Sequence, residues 1–303
     1  MTAAPAQSML RYWLSAVRPR TLLVALVPVL VGTMLAWHDV GGIVVSILVV
    51  TILAAVFVQV ATNLHNDVKD FERGADDPGT RLGPRRATAE GWLSAEQVRR
   101  GATLAFVGAG AAGAWLAIAG GWPVVLIGAA SIACGWAYSG GARPIAYSSL
   151  GEFFVWLFFG VVAVMGTYYL QTGSFDAIAF AAGALLGMPA AAVLVVNNYR
   201  DMDNDRQAGR RTFSVVFGAR ASRIEYGLLM LLPFALLPLL ALAAAPGWLL
   251  ALAALPWAVL LVRRFVTQAP GPVFNELLAD TARLQLAFGV LLCAGIFVGG
   301  LRG

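Results

Sequence analysis

The chain has 303 residues, 59% of them hydrophobic and 12% charged, with a formal net charge of +5. Soluble globular domains carry about 25% charged residues, so this composition, with its mean hydropathy of +0.77, excludes an ordinary soluble domain. Cys134 and Cys293 both fall in apolar runs, which excludes a disulfide framework, and no basic stripe with interleaved aromatics points to nucleic acid.

In chain order, Met1–Arg20 lacks an apolar core ahead of a small-residue cleavage site. It therefore reads as a retained, basic lead-in to the first apolar run rather than as a signal peptide. A bilayer core needs roughly 20 apolar residues in helical form. Nine such spans are predicted, at Thr21–Trp37, Gly42–Thr62, Ala102–Gly120, Trp122–Ser139, Phe153–Gln171, Phe175–Asn197, Ile224–Ala244, Gly247–Val262 and Ala282–Leu301. The Ala- and Leu-rich runs do not alternate in polarity, so helices rather than barrel strands are expected. Trp13, Trp37, Trp122 and Trp248 are placed as interface anchors. The small-residue stretches Gly108–Gly113 and Ala181–Gly187 should let helices approach closely. The predicted fold class is thus an all-α integral membrane protein, nine transmembrane helices in a bundle.

Basic residues mark the cytoplasmic side of a membrane protein. With the N-terminus inside and nine spans, all of the 21 Lys and Arg residues except Arg302 fall on that side. The calculated pI near 9.6 then reflects cytoplasmic loops facing anionic lipid. The long connections are also cytoplasmic, which places the chemistry there, in a multi-pass protein of the cell membrane.

Two clusters stand at span ends. The first is Asn63-Leu64-His65-Asn66-Asp67-Val68-Lys69-Asp70. If the helix continues, Asn63, Asn66, Asp67 and Asp70 share one face. The second is Asn197-Asn198-Tyr199-Arg200-Asp201-Met202-Asp203-Asn204-Asp205, in which Asn197 or Asn198, Asp201 and Asp205 share a face. The aspartates at 67 and 201 are separated by four spans. This suggests one domain over 1–303 built as a parallel pseudo-repeat, roughly 21–140 and 150–265, with a ninth helix at 282–301. Both clusters would then lie at one face of the membrane. Carboxylates in line repel one another unless a cation sits among them. Magnesium prefers such oxygens, keeps several waters and is commonly shared with substrate phosphate. The expected metal ligands are Asn63, Asn66, Asp67 and Asp70 on the first face, and Asn197 or Asn198, Asp201 and Asp205 on the second. Lys69, Arg143, Arg200 and Arg211, with Asn63 and Asn198, are expected to hold a diphosphate, and Arg73 and Arg210 are further cytoplasmic cations that fit the same anion. A solvated, ion-paired helix end is the usual reading of one such cluster; two with the same Asn-then-Asp pattern argue for function.

Further motifs follow the same order: Arg18-Pro-Arg20-Thr-Leu22, Asn63–Asp70 with Gly74-Ala-Asp76, Tyr138-Ser-Gly-Gly-Ala-Arg143-Pro144, Leu150-Gly-Glu152, Gly166-Thr-Tyr-Tyr-Leu-Gln171, the Asn197–Asp205 run and Gly209-Arg-Arg-Thr212. As an ordered set they resemble the UbiA superfamily of intramembrane aromatic prenyltransferases, and within it the branch that prenylates 1,4-dihydroxy-2-naphthoate in menaquinone synthesis. The resemblance implies a nine-helix bundle, Mg2+ as cofactor, and a prenyl diphosphate and an aromatic acid as substrates, with the lipid bilayer as the other partner. It implies transfer of a polyprenyl group with loss of CO2 and diphosphate, giving a demethylmenaquinone. A further Asp of the first family motif is Gly74 here, so a third carboxylate comes from Asp76 or Asp77 or is absent. The family's Lys-Thr is Arg211-Thr212.

Catalytic roles are expected for Asp67, Asp201 and Arg143, the last countering charge on the leaving group. Candidate contacts to the acceptor or the allylic cation are Arg18, Arg20, His65, Tyr138, Tyr147 and Tyr199. His65 stands beside the metal cluster as a possible base, and His38 lies at the other membrane face. No obligate protein partner is indicated. Two rival readings stay open: a UbiA-type enzyme using 4-hydroxybenzoate or homogentisate, and a cation-coupled transporter. A transporter should carry polar groups near the midplane of several helices, whereas these acids gather at one end.

Overall fold

The structure is a computed structural model that describes residues 6–75, 79 and 81–300. Among them there is no strand, and nine helical segments are long and apolar enough to cross a membrane. Helix α1 (Ala6–Val17) is short and amphipathic. It is followed by α2 (Pro19–Val40), α3 (Val45–Glu72), α4 (Ala95–Gly120) and α5 (Trp122–Ser139). The fifth span, Gly151–Thr172, is built from α6 (Gly151–Trp156), a π-helical stretch at Leu157–Val162, and α7 (Ala163–Thr172). Next come α8 (Ala177–Arg200), the short α9 (Met202–Gln207), α10 (Phe213–Ala243), a 3-10 stretch at Pro246–Ala254 running into α11 (Leu255–Thr267), and α12 (Phe274–Gly300).

The nine predicted spans all appear, and the differences lie at their ends. Helix α3 runs on to Glu72, so the first acidic cluster is helical throughout. Helix α4 begins at Ala95, seven residues before its apolar run, because Ser94 and Gln97 form a reciprocal capping box. Helix α12 begins at Phe274, ahead of the predicted Ala282, since a polar first turn is as helical as an apolar one. Gly218, at φ 80°, breaks α10 near its start.

Apolar side chains point both inward and outward, as a lipid-immersed bundle requires: Ile118 is 86% exposed on α4, whereas Leu186 on α8 is fully buried. Helix α8 is the most enclosed span. It packs against the π-helical stretch through Gly183 and Gly187, where an added Cβ would meet the Gly160 carbonyl carbon–oxygen unit or the Trp156 oxygen at 2.5–2.9 Å. Close approach was expected of Ala181–Gly187 and is found there. At Gly108–Gly113 only Gly108 meets a neighbour, Phe57, while Gly110 and Gly113 face open space. Trp248 is corrected from interface anchor to core: it is 2% exposed, because the Gly247 carbonyl crosses against Gly295 of α12 and draws the next residue inward.

Candidate active site

The ends of α3 and α8 meet at one end of the bundle, and Arg210 is the joint between them. Its guanidinium lies 2.7 Å from Asp70 of α3 and 3.4 Å from Asp205, just after α8. Its flat face covers the Tyr147 ring at 4.6 Å, and Tyr147 Oη donates to Asp70 at 3.5 Å. Burial alone would lower the affinity of Arg210 for its proton, but Asp70 and Asp205 outweigh it and hold the guanidinium above the usual arginine range.

Asp67 is 1% exposed and faces Ala87 and Thr88, yet neither of its oxygens makes a hydrogen bond of normal geometry. Arg18, at the start of α2, approaches it and donates to Asn66 Oδ1 at 3.4 Å. Arg18 holds a left-handed backbone, φ 56°, unlike any other non-glycine residue described. Such strain costs about 1–3 kcal/mol and persists where the surroundings demand it; here it breaks α1 from α2 and aims the side chain at the first cluster. Asn66 also accepts from Arg86 at 2.9 Å and donates to Ser139 at 2.9 Å. Arg86 reaches Asp70 too, at 3.4 Å.

In the second cluster, Asp201 is clasped by Arg200 at 2.8 and 2.6 Å. Arg200 also donates to Asn197 and Asn275. Asn198 turns its amide nitrogen to Glu152, to which it donates at 2.7 Å. Asp205 is buried, which pushes its carboxyl up to about 7 against the pull of Arg210, with Asp201 and Asp70 adding repulsion. The folded, metal-free protein therefore holds a proton there that the unfolded chain gives up near 3.8. Stability from this group is present at low pH and falls as pH rises toward about 7. Asp205→Asn should flatten that part of the melting-temperature profile in EDTA; an unchanged slope would mean that another group titrates.

Several expected site residues lie elsewhere. Tyr199 is fully buried against Phe265 and Phe274, with its hydroxyl accepting from Arg223, so it lines the core and not the site. One residue beyond Asn198, it is turned by about 100° onto the opposite flank of α8. Lys69 is turned by about 200° from Asp67 and pairs with Glu72 at 2.8 Å, on the side of α4. Asn63 spends its amide on Val17 and Thr21 and accepts from Gln59, so it pins the α1–α2 junction to α3. His65 lies between Trp136 and Phe106 instead of facing the acids. Arg143 and Arg211 are exposed, and only the Arg211 backbone touches the site's frame, through Tyr147. Tyr138 does lie near, within the electrostatic reach of Glu152, Arg210, Asp70 and Arg18. The Arg20 side chain, Asp76 and Asp77 lie outside the described residues. Arg210, one of the cations expected near the anion, is central, and so are two residues to which the sequence assigned no role: Arg86 and Glu152. An acid at the start of an apolar span, as Glu152 is, carries a signal of its own; Arg86 in a long loop carries none.

No group of three His, Cys, Asp or Glu side chains converges among the described residues. Magnesium does not need such a cage, since it takes one or two carboxylates and completes its shell with water and substrate phosphate. The unpartnered oxygens of Asp67 are of the kind that a hard divalent cation takes.

The profile of the UbiA prenyltransferase family matches residues 25–272. The chain belongs to the UbiA prenyltransferase family. Among UbiA relatives, the 1,4-dihydroxy-2-naphthoate octaprenyltransferase of Escherichia coli (strain K12) is 33% identical, over 94% of this chain and 95% of its own. That of Mycobacterium tuberculosis is 32% identical, over 95% and 98%. A solved UbiA homologue from Archaeoglobus fulgidus, bound to GPP and Mg2+, superposes with a TM-score of 0.69 at 17% identity, covering 93% of this chain and 99% of that one, which shows the shared fold. This UbiA protein is thus a multi-pass membrane prenyltransferase.

Proposed function

We propose that the protein transfers a polyprenyl group from prenyl diphosphate to 1,4-dihydroxy-2-naphthoate, with Mg2+ held by Asp67, Asp201 and Asp205. The observation that carries the reading is the pairing of a buried, unpartnered Asp67 with an Arg210-bridged Asp70 and Asp205 at the meeting of two helices. The naphthoate relatives supply the acceptor. We place the site at the cytoplasmic face of the cell membrane, on the distribution of basic residues, and the two clusters in corresponding parts of a parallel repeat.

In this reading Arg210 and Arg86 hold the diphosphate by charge-assisted hydrogen bonds, and Arg18 faces the acidic acceptor. Magnesium bound there supplies positive charge against the leaving diphosphate. The allylic C–O bond breaks with its electron pair going to diphosphate. Tyr138 is the ring left to face the allylic cation, because Tyr147 is covered by Arg73 and Arg210 and Tyr199 is in the core. A ring face stabilises a cation by about 0.5–2 kcal/mol. The ring carbon that carries the carboxylate forms the new C–C bond, and CO2 departs, leaving its bonding pair to restore aromaticity. No proton is needed for balance, and the product is the reduced form of demethylmenaquinone.

The prenyl tail has its own place. A cavity of about 500 Å3 between α2 and α12 is lined by Val27, Leu30, Met34, Trp37, Val290 and Phe297. Each buried methylene stabilises by about 0.8 kcal/mol, so an apolar slot within the bilayer suits a long isoprenoid. Purified protein, Mg2+ and octaprenyl diphosphate, assayed against a panel of aromatic acids, should give product with 1,4-dihydroxy-2-naphthoate. Product with 4-hydroxybenzoate alone would overturn the acceptor assignment.

A further inference from the structure

Glu152 begins the fifth span and is 5% exposed, deep among α6 and α8. A carboxylate in such a place is expensive and calls for a reason. Its Oε1 accepts from Asn198 Nδ2 at 2.7 Å, while its Oε2 is buried without a hydrogen-bond partner. Ordinary helix packing does not need this acid, because an apolar side chain of similar size would pack against α8 at no electrostatic cost.

What the acid does do is choose an orientation. An amide has a donating end and an accepting end of nearly equal size, whereas an ionised carboxylate only accepts. Opposite the accepting Oε1 of Glu152, the Asn198 amide turns its NH2 toward α6, which leaves Oδ1 directed away from it. Asn198 lies in the last turn of α8, three residues before Asp201, where that helix ends, and seven before Asp205 of α9. Outer partners that orient a metal or phosphate ligand commonly matter by 10- to 100-fold in affinity.

We infer that Glu152 is a positioning residue, locking the Asn198 amide with its oxygen toward the divalent cation of the proposed site. The inference rests on the site proposed above and adds Asn198 to it. With Glu152→Gln, the new amide either donates or accepts, so Asn198 is free to flip at little change in volume or packing.

The probe is Mn2+ binding, followed by electron paramagnetic resonance on detergent-purified protein with an unreactive prenyl thiodiphosphate, alongside steady-state kinetics. E152Q should weaken Mn2+ about tenfold and raise the KM for prenyl diphosphate, with the acceptor KM within about twofold and the melting temperature in EDTA not lowered. N198A should show a loss of similar size, and E152Q should add nothing on the N198A background, because both act through one amide. Wild-type Mn2+ affinity in E152Q beside a weakened N198A overturns the inference while sparing the site. Additive losses in the double variant, or a rise in acceptor KM alone, overturn it as well. Wild-type Mn2+ affinity in N198A removes Asn198 from the site, and the inference with it.

Discussion

Asp67→Asn lowers kcat by about a hundred- to a thousandfold, the size expected when one group that organises leaving-group charge is lost, yet it does not lower the melting temperature of the metal-free protein. The two halves of this result have one cause. Asp67 is 1% exposed and neither oxygen has a hydrogen-bond partner. Burying a charge that Arg18 offsets only in part opposes folding, so a neutral side chain of the same shape relieves the metal-free bundle. Function and stability then move in opposite directions, as they do where a site is kept at the expense of the fold. Turnover and thermal melting in EDTA check both halves. Parallel losses of activity and melting temperature would show that Asp67 is a structural residue. Activity near wild type would remove it from the site.

Arg210→Met destabilises the metal-free protein by about 3–5 kcal/mol, the usual cost of leaving a buried charge without its partner. Arg210 is the cation that touches both Asp70 and Asp205, and its loss leaves those acids facing each other across the α3–α8 junction. A divalent cation with a prenyl thiodiphosphate should then stabilise the variant more than wild type, since the cation takes over part of the charge that Arg210 supplied. Arg210→Lys should recover part of the stability but less of the turnover, because an ammonium cannot contact two carboxylates and cover the Tyr147 ring at once. Melting curves with and without Mn2+ and analogue test the idea. Equal melting of R210M and wild type in EDTA would mean that the bridge is not formed in solution.

Much of the architecture was legible from residue order. Runs of apolar residues long enough for the bilayer mark the nine spans, and Asn63, Asn66, Asp67 and Asp70 at helical offsets mark a face that the helix does carry to Glu72. Period and length are local properties, so they are visible in a string. Arg143 and Lys69 show where local reading stops. Each is basic and on the expected cytoplasmic side, but Arg143 is exposed on its loop and Lys69 turns to Glu72. Arg210 differs from neighbouring Arg211 by one position, and only the turn after α9 decides which of the two enters the site.

The sequence alone thus determined that two Asn/Asp helix faces exist in a membrane bundle, because hydropathy and helical period depend on nearest neighbours. Tertiary structure decided how those faces are used. It set Asp67 apart without a hydrogen-bond partner, joined Asp70 to Asp205 through Arg210, and put Glu152 behind Asn198. It also sent Tyr199 to the core. These assignments depend on how α3, α6 and α8 rotate against one another. That rotation comes from packing over the whole bundle, such as the contact of Gly160 with Gly183 and Gly187, which no single segment encodes.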